Sequence, residues 1–203
     1  MRHFSYDSDV AGGSLMVRES RVIADLLLKE ATSEEWLDAI QTDNRLQKPT
    51  AATARRIAQS IRKRLERMEP SFWQAIRDGD DELATQASFC AVLERNLLLV
   101  EFIESVLRDA FVTQAGELHV WQWNDFLDER AHKDSALADW SMTTKRKTGQ
   151  VAFRILAEVG LLTDTRSLTL QHLLVRPEVR VLLDDTYRHR IRSCLEVSGA
   201  TAV

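Results

Sequence analysis

The stretch TAATARRIAQSIRKRLERMEP, residues 50–70, carries apolar side chains at regular helical intervals. Ala54, Ile57, Ile61, Leu65 and Met68 are separated by three or four residues, so they fall on one face of an α-helix. Such a face is too apolar to be left in water and has to pack against other helices. The spacing therefore predicts an amphipathic helix that contributes to a helical core.

The opposite side of this predicted helix is strongly basic. Six Lys or Arg side chains occur within residues 55–67, although the whole chain has a net charge of -4. Five of them form what we call the basic stripe of this predicted helix (α3 below): Arg55, Arg56, Arg62, Lys63 and Arg67. We expect the stripe to project from one helix into solvent and to contact the phosphates of a nucleic acid. The alternative, a solvated helix face that keeps the protein soluble, stays open.

A second basic island lies in TTKRKTGQVAFRILAEVG, residues 143–160. The pattern predicts a helix from about Thr143 to Val159 that ends at Gly160, with Ser141 or Thr143 as its N-cap. Its first turns contain Lys145, Arg146 and Lys147. Cations are unfavourable at a helix N-terminus, so a bound polyanion would explain them.

Composition and order of the segments predict a mainly all-α protein. Gly and Pro are few, and Thr32 with Glu35, like Ser71 with Gln74, has the spacing of a capping box. A turn-rich segment, TQAGEL, separates two strongly patterned regions. We therefore expect a helical bundle over residues 1–112 and a smaller module over residues 117–203.

The order of elements in the second region is that of a winged helix-turn-helix. Two short helical segments precede the helix that ends at Gly160, and LLTDTRSLTL follows it. Leu161–Thr163 and Leu168–Leu170 are predicted to form two wing strands joined by a polar turn. In such a module the helix after the turn lies in the DNA major groove. The second island therefore lies where a DNA-binding helix would carry its cations.

Several classes of function find no motif in the sequence. There is no nucleotide-binding loop, no nucleophile elbow and no metal-ligand spacing among the five histidines, so we predict no enzyme activity, no cofactor, no metal and no small-molecule substrate. The most apolar run, NLLLVEFIESVL, is too short and too charged for a membrane span. Two widely separated cysteines without a signal peptide favour a reduced, cytoplasmic protein.

Four blocks of the chain resemble the BrxA family, a small component of the bacterial BREX phage-defence systems. They are GGSLMVRESRVIADLLL, WLDAIQTDNRLQKPTAATARRIAQSIRKRLE, IRDGDDELATQASF and TTKRKTGQVAFRILAEVGLL. The resemblance runs from about residue 4 to residue 185. It implies a bundle similar to that of the transcription antitermination factors, DNA binding without known catalysis, and a role beside other BREX proteins.

Two classes of function follow from the basic islands and the resemblance. The first is a non-catalytic binder of double-stranded DNA that recruits or positions larger BREX partners. The second is a protein-interaction scaffold or an RNA-binding protein that uses the same basic faces. Titration against duplex DNA, single strands and structured RNA over a salt series would distinguish them.

Overall fold

The computed structural model describes Tyr6 and residues 13–199, and this part of the chain is mainly α-helical, as the sequence predicted. In chain order the α-helices are α1 (Val17–Leu28), α2 (Ser33–Leu37), α3 (Ala51–Leu65), α4 (Pro70–Asp78), α5 (Asp81–Arg95), α6 (Leu97–Phe102), α7 (Arg108–Val112), α8 (Val120–Ala131), α9 (Ser135–Ala138), α10 (Met142–Val159), α11 (Pro177–Asp185) and α12 (His189–Leu195). A π-helical turn follows each of α2 and α6, at Asp38–Thr42 and Ile103–Leu107.

The chain forms two compact units. The first unit contains Leu15–Arg95 and Arg176–Leu182. The second unit contains Asn96–Val175 and Leu183–Val203, with Met1–Ser14, as far as these ranges are described. The sequence predicts a domain boundary between residues 112 and 117, whereas the two compact units divide after Arg95. The domains 1–112 and 117–203 stay a prediction about which parts of the chain fold independently. Their outermost residues lie outside the described part of the chain.

The ends of the helices are fixed by local hydrogen bonds. Thr32 and Glu35 form the predicted capping box at the start of α2, and Gly160 ends α10 in the left-handed region, with φ 93°. The capping box predicted for Ser71 and Gln74 is wrong. The N-cap of α4 is Glu69, two residues before the predicted cap, and the helix begins at Pro70, whose fixed φ suits the first helical position and which has no N–H to be capped.

In the first unit, the predicted apolar face of α3 is confirmed, because it is buried in full: Ala54, Ile57, Ile61, Leu65 and Met68. Helices α1 and α4 are tied together by Arg21, whose Nη1 donates to the carbonyl oxygens of Ile76, Arg77 and Gly79 at 3.1, 3.0 and 2.8 Å. These carbonyls lie at the end of α4, where no further helical N–H is present to bond them. The Arg21 side chain therefore completes the hydrogen bonding of the end of α4.

A second tie in this unit joins α1 to the loop before α3. Lys48 Nζ lies 2.5 Å from Glu19 Oε1, and the Glu19 side chain is 13% exposed. Asn44 holds the loop with φ 46°, and its side chain exchanges two hydrogen bonds with the backbone of Lys48, both at 2.9 Å. Asn tolerates this left-handed geometry better than most other residues do.

In the second unit, aromatic side chains pack α6, α8 and α10 together. The Phe102 ring makes edge contacts with Trp123, Phe126 and Phe153, with ring centroids 5.0, 5.3 and 6.1 Å apart. All four side chains are buried. Because α8 and α10 each bury one face in this cluster, the opposite face of α10 is the one left for solvent.

The two predicted wing strands are too short to count as strands, and no strand occurs among the described residues. Leu162 and Leu170 form an isolated antiparallel bridge, and the chain reversal between them is closed by the Thr163 N–H, which donates to the Thr169 carbonyl at 3.0 Å. The reversal lies where the wing was predicted. The winged helix-turn-helix and the antitermination-type bundle stay predictions.

Replacing Gly149 with Ala tests the packing of α8 on α10. A Cβ at position 149 would lie 2.7 Å from Trp123 Cδ1, so the buried indole or the backbone of α10 would have to shift. We expect a loss of about 1–3 kcal/mol in the free energy of unfolding, although Ala gains about 1 kcal/mol in helix propensity. Urea denaturation of the parent and the variant measures this change in the free energy of unfolding.

Gly199→Ala is the matched control, since a Cβ there would meet nothing within 4 Å. A Gly149→Ala protein at least as stable as the parent would contradict the close contact with Trp123.

The pH dependence of stability tests the Glu19–Lys48 pair. Burial raises the pKa of Glu19, but the hydrogen bond and charge of Lys48 outweigh it and hold that pKa below 4.5. A carboxyl with a lowered folded-state pKa adds stability above the unfolded-state pKa and loses it as the pH falls through the folded-state value. Glu19→Gln should cost about 1.5–3 kcal/mol at neutral pH.

The difference between parent and Glu19→Gln should shrink as the pH falls below 4.5. A difference that is the same at pH 7 and in acid would contradict the ion pair.

Candidate nucleic-acid interface

The α3 basic stripe lies on the exposed side of its helix. All five of its side chains are exposed: Arg55, Arg56, Arg62, Lys63 and Arg67. Arg67 follows the end of α3 at Leu65, so it belongs to the next turn rather than to the helix itself. The sixth cation of the stretch, Arg64, is only 2% exposed and belongs to the buried side. The exposed stripe therefore consists of the five residues named from the sequence, but it extends beyond the end of α3.

Three members of the stripe already have contacts within the protein: Arg55, Arg62 and Arg67. Arg55 Nη2 donates to Gln41 Oε1 at 3.1 Å. Arg62 Nε donates to Glu66 Oε1 at 2.6 Å, and its guanidinium lies 4.5 Å above the ring centre of Trp36. These two side chains border a groove between α2 and α3.

Arg56 and Lys63 are the cations of the stripe that remain available. They are seven residues apart, which places them on the same side of α3. Among the described residues, neither side chain hydrogen-bonds or pairs with a carboxylate, and both are exposed. A phosphate could contact them without displacing a partner.

The second island begins at the N-terminus of α10. Ser141 is the N-cap, and its Oγ accepts the Thr144 N–H at 3.2 Å, which confirms one of the two predicted caps. Lys145 differs from Arg146 and Lys147, which are exposed. Its side chain is 13% exposed, and Nζ lies 2.6 Å from Asp128 Oδ1 on α8. The Asp128 carboxylate offsets the unfavourable position of this cation near the helix N-terminus.

The other cations of the island belong to an exposed polar face of α10, which we call the α10 face. Its exposed members are Thr143, Arg146, Lys147, Gln150 and Arg154. Glu158, one residue before the C-terminal end of α10, is the first acidic residue along the helix. Over the described chain, Arg146, Lys147 and Arg154 have no ion-pair partner. The α10 face is thus cationic over more than two turns.

Gln150 and Arg154 are additions to the site predicted from the sequence. Gln150 follows Arg146 by four residues, and Arg154 follows Lys147 by seven, so helical periodicity places them on the same side. This periodicity is the signal that could have found them. A Gln amide can donate and accept hydrogen bonds at once, which the three cations cannot do.

The chain reversal after α10 carries a further exposed cation, Arg166. Asp164 Oδ1 accepts the N–H groups of Arg166 and Ser167 at 2.6 and 2.9 Å. These hydrogen bonds lower the pKa of Asp164. The carboxylate is therefore committed to holding the turn.

The described residues do not bring together a cluster of potential metal ligands. No three His, Cys, Asp or Glu side chains in that part of the chain are placed to hold a metal ion. Both cysteines are buried thiols, and burial raises the pKa of Cys194 to about 12. None of the described helices combines the length and the apolar character needed to span a membrane.

Comparisons with known proteins bear on the whole chain. The BrxA family model matches residues 5–186. A protein of Paramagnetospirillum magneticum named BREX protein BrxA is 36% identical over 193 residues, which are 95% of this chain and 97% of that protein. A protein of the same name from Escherichia coli O9:H4 is 32% identical over 93% of this chain and 88% of its own length.

The fold is similar to a solved structure as well. A crystal structure of an uncharacterized protein from Magnetospirillum magneticum superimposes with a TM-score of 0.87 and 35% identity, over 95% of this chain and 99% of that one. The family match and the identities over nearly full lengths agree, and the chain belongs to the BrxA family.

Proposed function

We propose that this chain is a non-catalytic, cytoplasmic component of a BREX phage-defence system that binds double-stranded DNA and positions larger BREX proteins on it. The BREX role is supported by relatives that are named BREX protein BrxA. DNA binding is supported by one observation above others, the exposed and almost acid-free α10 face. Such a surface has a polyanion as its natural partner, because binding to phosphates releases the counterions that surround DNA.

The shape of the α10 face favours duplex DNA. A single α-helix fits the major groove of B-form DNA, whereas the major groove of A-form RNA is too narrow for side chains to read. In this proposal Arg146 and Lys147, in the second turn, contact phosphates. Gln150 and Arg154 lie further along and face base edges, where Gln matches adenine and Arg matches guanine.

The α3 basic stripe supplies additional phosphate contacts. Arg56 and Lys63 contribute most in this proposal, since their charged groups are unpaired in the described structure. Long flexible cations on a helix flank suit the DNA backbone and carry no sequence preference. Arg55, Arg62 and Arg67 already have contacts within the protein and strengthen the local positive potential.

Removing two cations from the α10 face should weaken duplex binding. We expect Arg146→Ala with Lys147→Ala to reduce affinity by about tenfold at physiological salt. The salt dependence should become shallower by about 0.9 for each phosphate that the variant no longer neutralises. Fluorescence anisotropy with a labelled duplex over about 50 to 200 mM salt measures both quantities.

The control variant, Arg108→Ala with Lys133→Ala, removes two exposed cations elsewhere in the same unit. Equal losses of affinity in the two variants would assign binding to overall charge and contradict a role for the α10 face. Stronger parental binding to structured RNA than to duplex DNA would favour the RNA alternative.

Reversing the two available charges of the α3 basic stripe should weaken all duplexes alike. Arg56→Glu with Lys63→Glu leaves the buried face of α3 untouched, so the fold should persist. We expect similar losses of affinity for duplexes of unrelated sequence, together with a shallower salt dependence.

Glu substitution of Lys29 and Arg45, two cations that already pair with Asp25, provides a control in the same unit. A folded Arg56→Glu, Lys63→Glu protein with parental affinity and salt slope would remove the stripe from the site.

A further inference from the structure

The first unit contains a groove that DNA binding leaves unexplained. It lies between α2 with its π-helical turn and α3, and its volume is ≈ 270 Å³. Trp36, Leu37 and Ile40 line one side, and Ala58 lies on the α3 side. A volume of this size accepts one or two large apolar side chains.

The apolar surface of the groove is unusually open. Leu37 is a large apolar side chain that is 52% exposed, and Trp36 beside it is only partly buried. Ile40 and Ala58 are buried beneath them, so the side chains form a continuous apolar floor. Covering such a floor contributes about 25 cal/mol for each Å² of apolar surface removed from water.

Two guanidinium groups border this floor. Arg55 and Arg62 line the groove, and each uses one of its five N–H donors in a side-chain hydrogen bond within the described chain. Remaining donors can bind a carboxylate in the paired geometry that Arg favours. Two carboxylates of these elements are already engaged, Glu66 by Arg62 and Glu35 by the capping box of α2.

An apolar floor between cations matches an acidic protein segment better than a duplex. Bases in a duplex are stacked inside it, and phosphates gain nothing from a floor of Leu, Ile and Ala. The Trp36 ring, which could stack on an unpaired base, has the Arg62 guanidinium over its face. Protein interfaces, in contrast, commonly combine a buried apolar anchor with a charged rim.

We propose that the groove between α2 and α3 docks a partner protein through a segment that inserts one large apolar side chain against Leu37 and Trp36 and places flanking carboxylates on Arg55 and Arg62. The site lies in the other unit from the α10 face and does not use the available charges of Arg56 and Lys63. It gives the chain a means of holding a protein and a duplex through different surfaces.

Selection from a displayed library of random peptides tests the proposal on the full-length chain. Peptides enriched on the parent protein should carry a Leu, Phe or Trp next to Asp or Glu. For a synthetic copy of such a peptide, Leu37→Asp should raise the dissociation constant by about 30-fold or more, the effect of a central anchor. Arg55→Glu should raise it by about tenfold, and an excess of duplex DNA should leave it unchanged.

The matched control is Leu174→Asp, which makes the same change at a leucine that is 77% exposed in the other unit and should leave the peptide affinity unchanged. Thermal denaturation checks that the variants are folded. Enriched peptides that lack acidic residues, or that bind Leu37→Asp as well as the parent, would overturn the proposal. Competition by duplex DNA, with loss of duplex binding in Leu37→Asp, would overturn it in favour of a nucleic-acid groove.

Discussion

The packing of α10 on α8 fixes the surface on which the proposed DNA binding depends. Trp123 Nε1 donates to Thr148 Oγ1 at 3.3 Å, and the indole lies against Gly149, where no side chain intervenes. The Asp128–Lys145 ion pair restrains the same two helices one turn nearer the start of α10. Since α10 cannot rotate about its axis without breaking these contacts, Arg146, Gln150 and Arg154 must face solvent together.

Patterns within single helices predicted much of this structure. The spacing of Ile57, Ile61 and Leu65 indicated the buried side of α3, and Gly160 marked the end of α10, because both depend on local geometry. The burial of Arg64 could have been predicted in the same way. It lies seven residues from Ile57 and so on the same, buried side.

Contacts between residues that are far apart along the chain could not be predicted from the sequence. Periodicity states which side of a helix is buried but not what lies against it, so the pairing of Lys145 with Asp128 and the position of Arg62 over Trp36 could not be foreseen. These two contacts change the candidate site most. The pairing with Asp128 removes Lys145 from the available cations of α10. The contact with Trp36 places Arg62 beside the apolar groove between α2 and α3.

The two basic islands therefore differ in their physical surroundings. On α10, unpaired cations share an exposed polar face with Gln150, and we infer a duplex as the partner. On α3, Arg55 and Arg62 border the apolar floor beside Leu37, where an acidic protein segment fits, while Arg56 and Lys63 stay available for phosphate. Under the two proposals, this chain uses separate surfaces for DNA and for protein, as a positioning factor requires.

Photo-crosslinking from α10 to DNA tests the central claim most directly. A photoreactive benzoylphenylalanine at position 150 should crosslink to a bound duplex, and the yield should fall as salt releases the protein. The same group at position 185, an exposed site at the end of α11, should give little product. Crosslinking from position 185 but not from position 150, in proteins that bind the duplex equally well, would contradict the assignment of the α10 face.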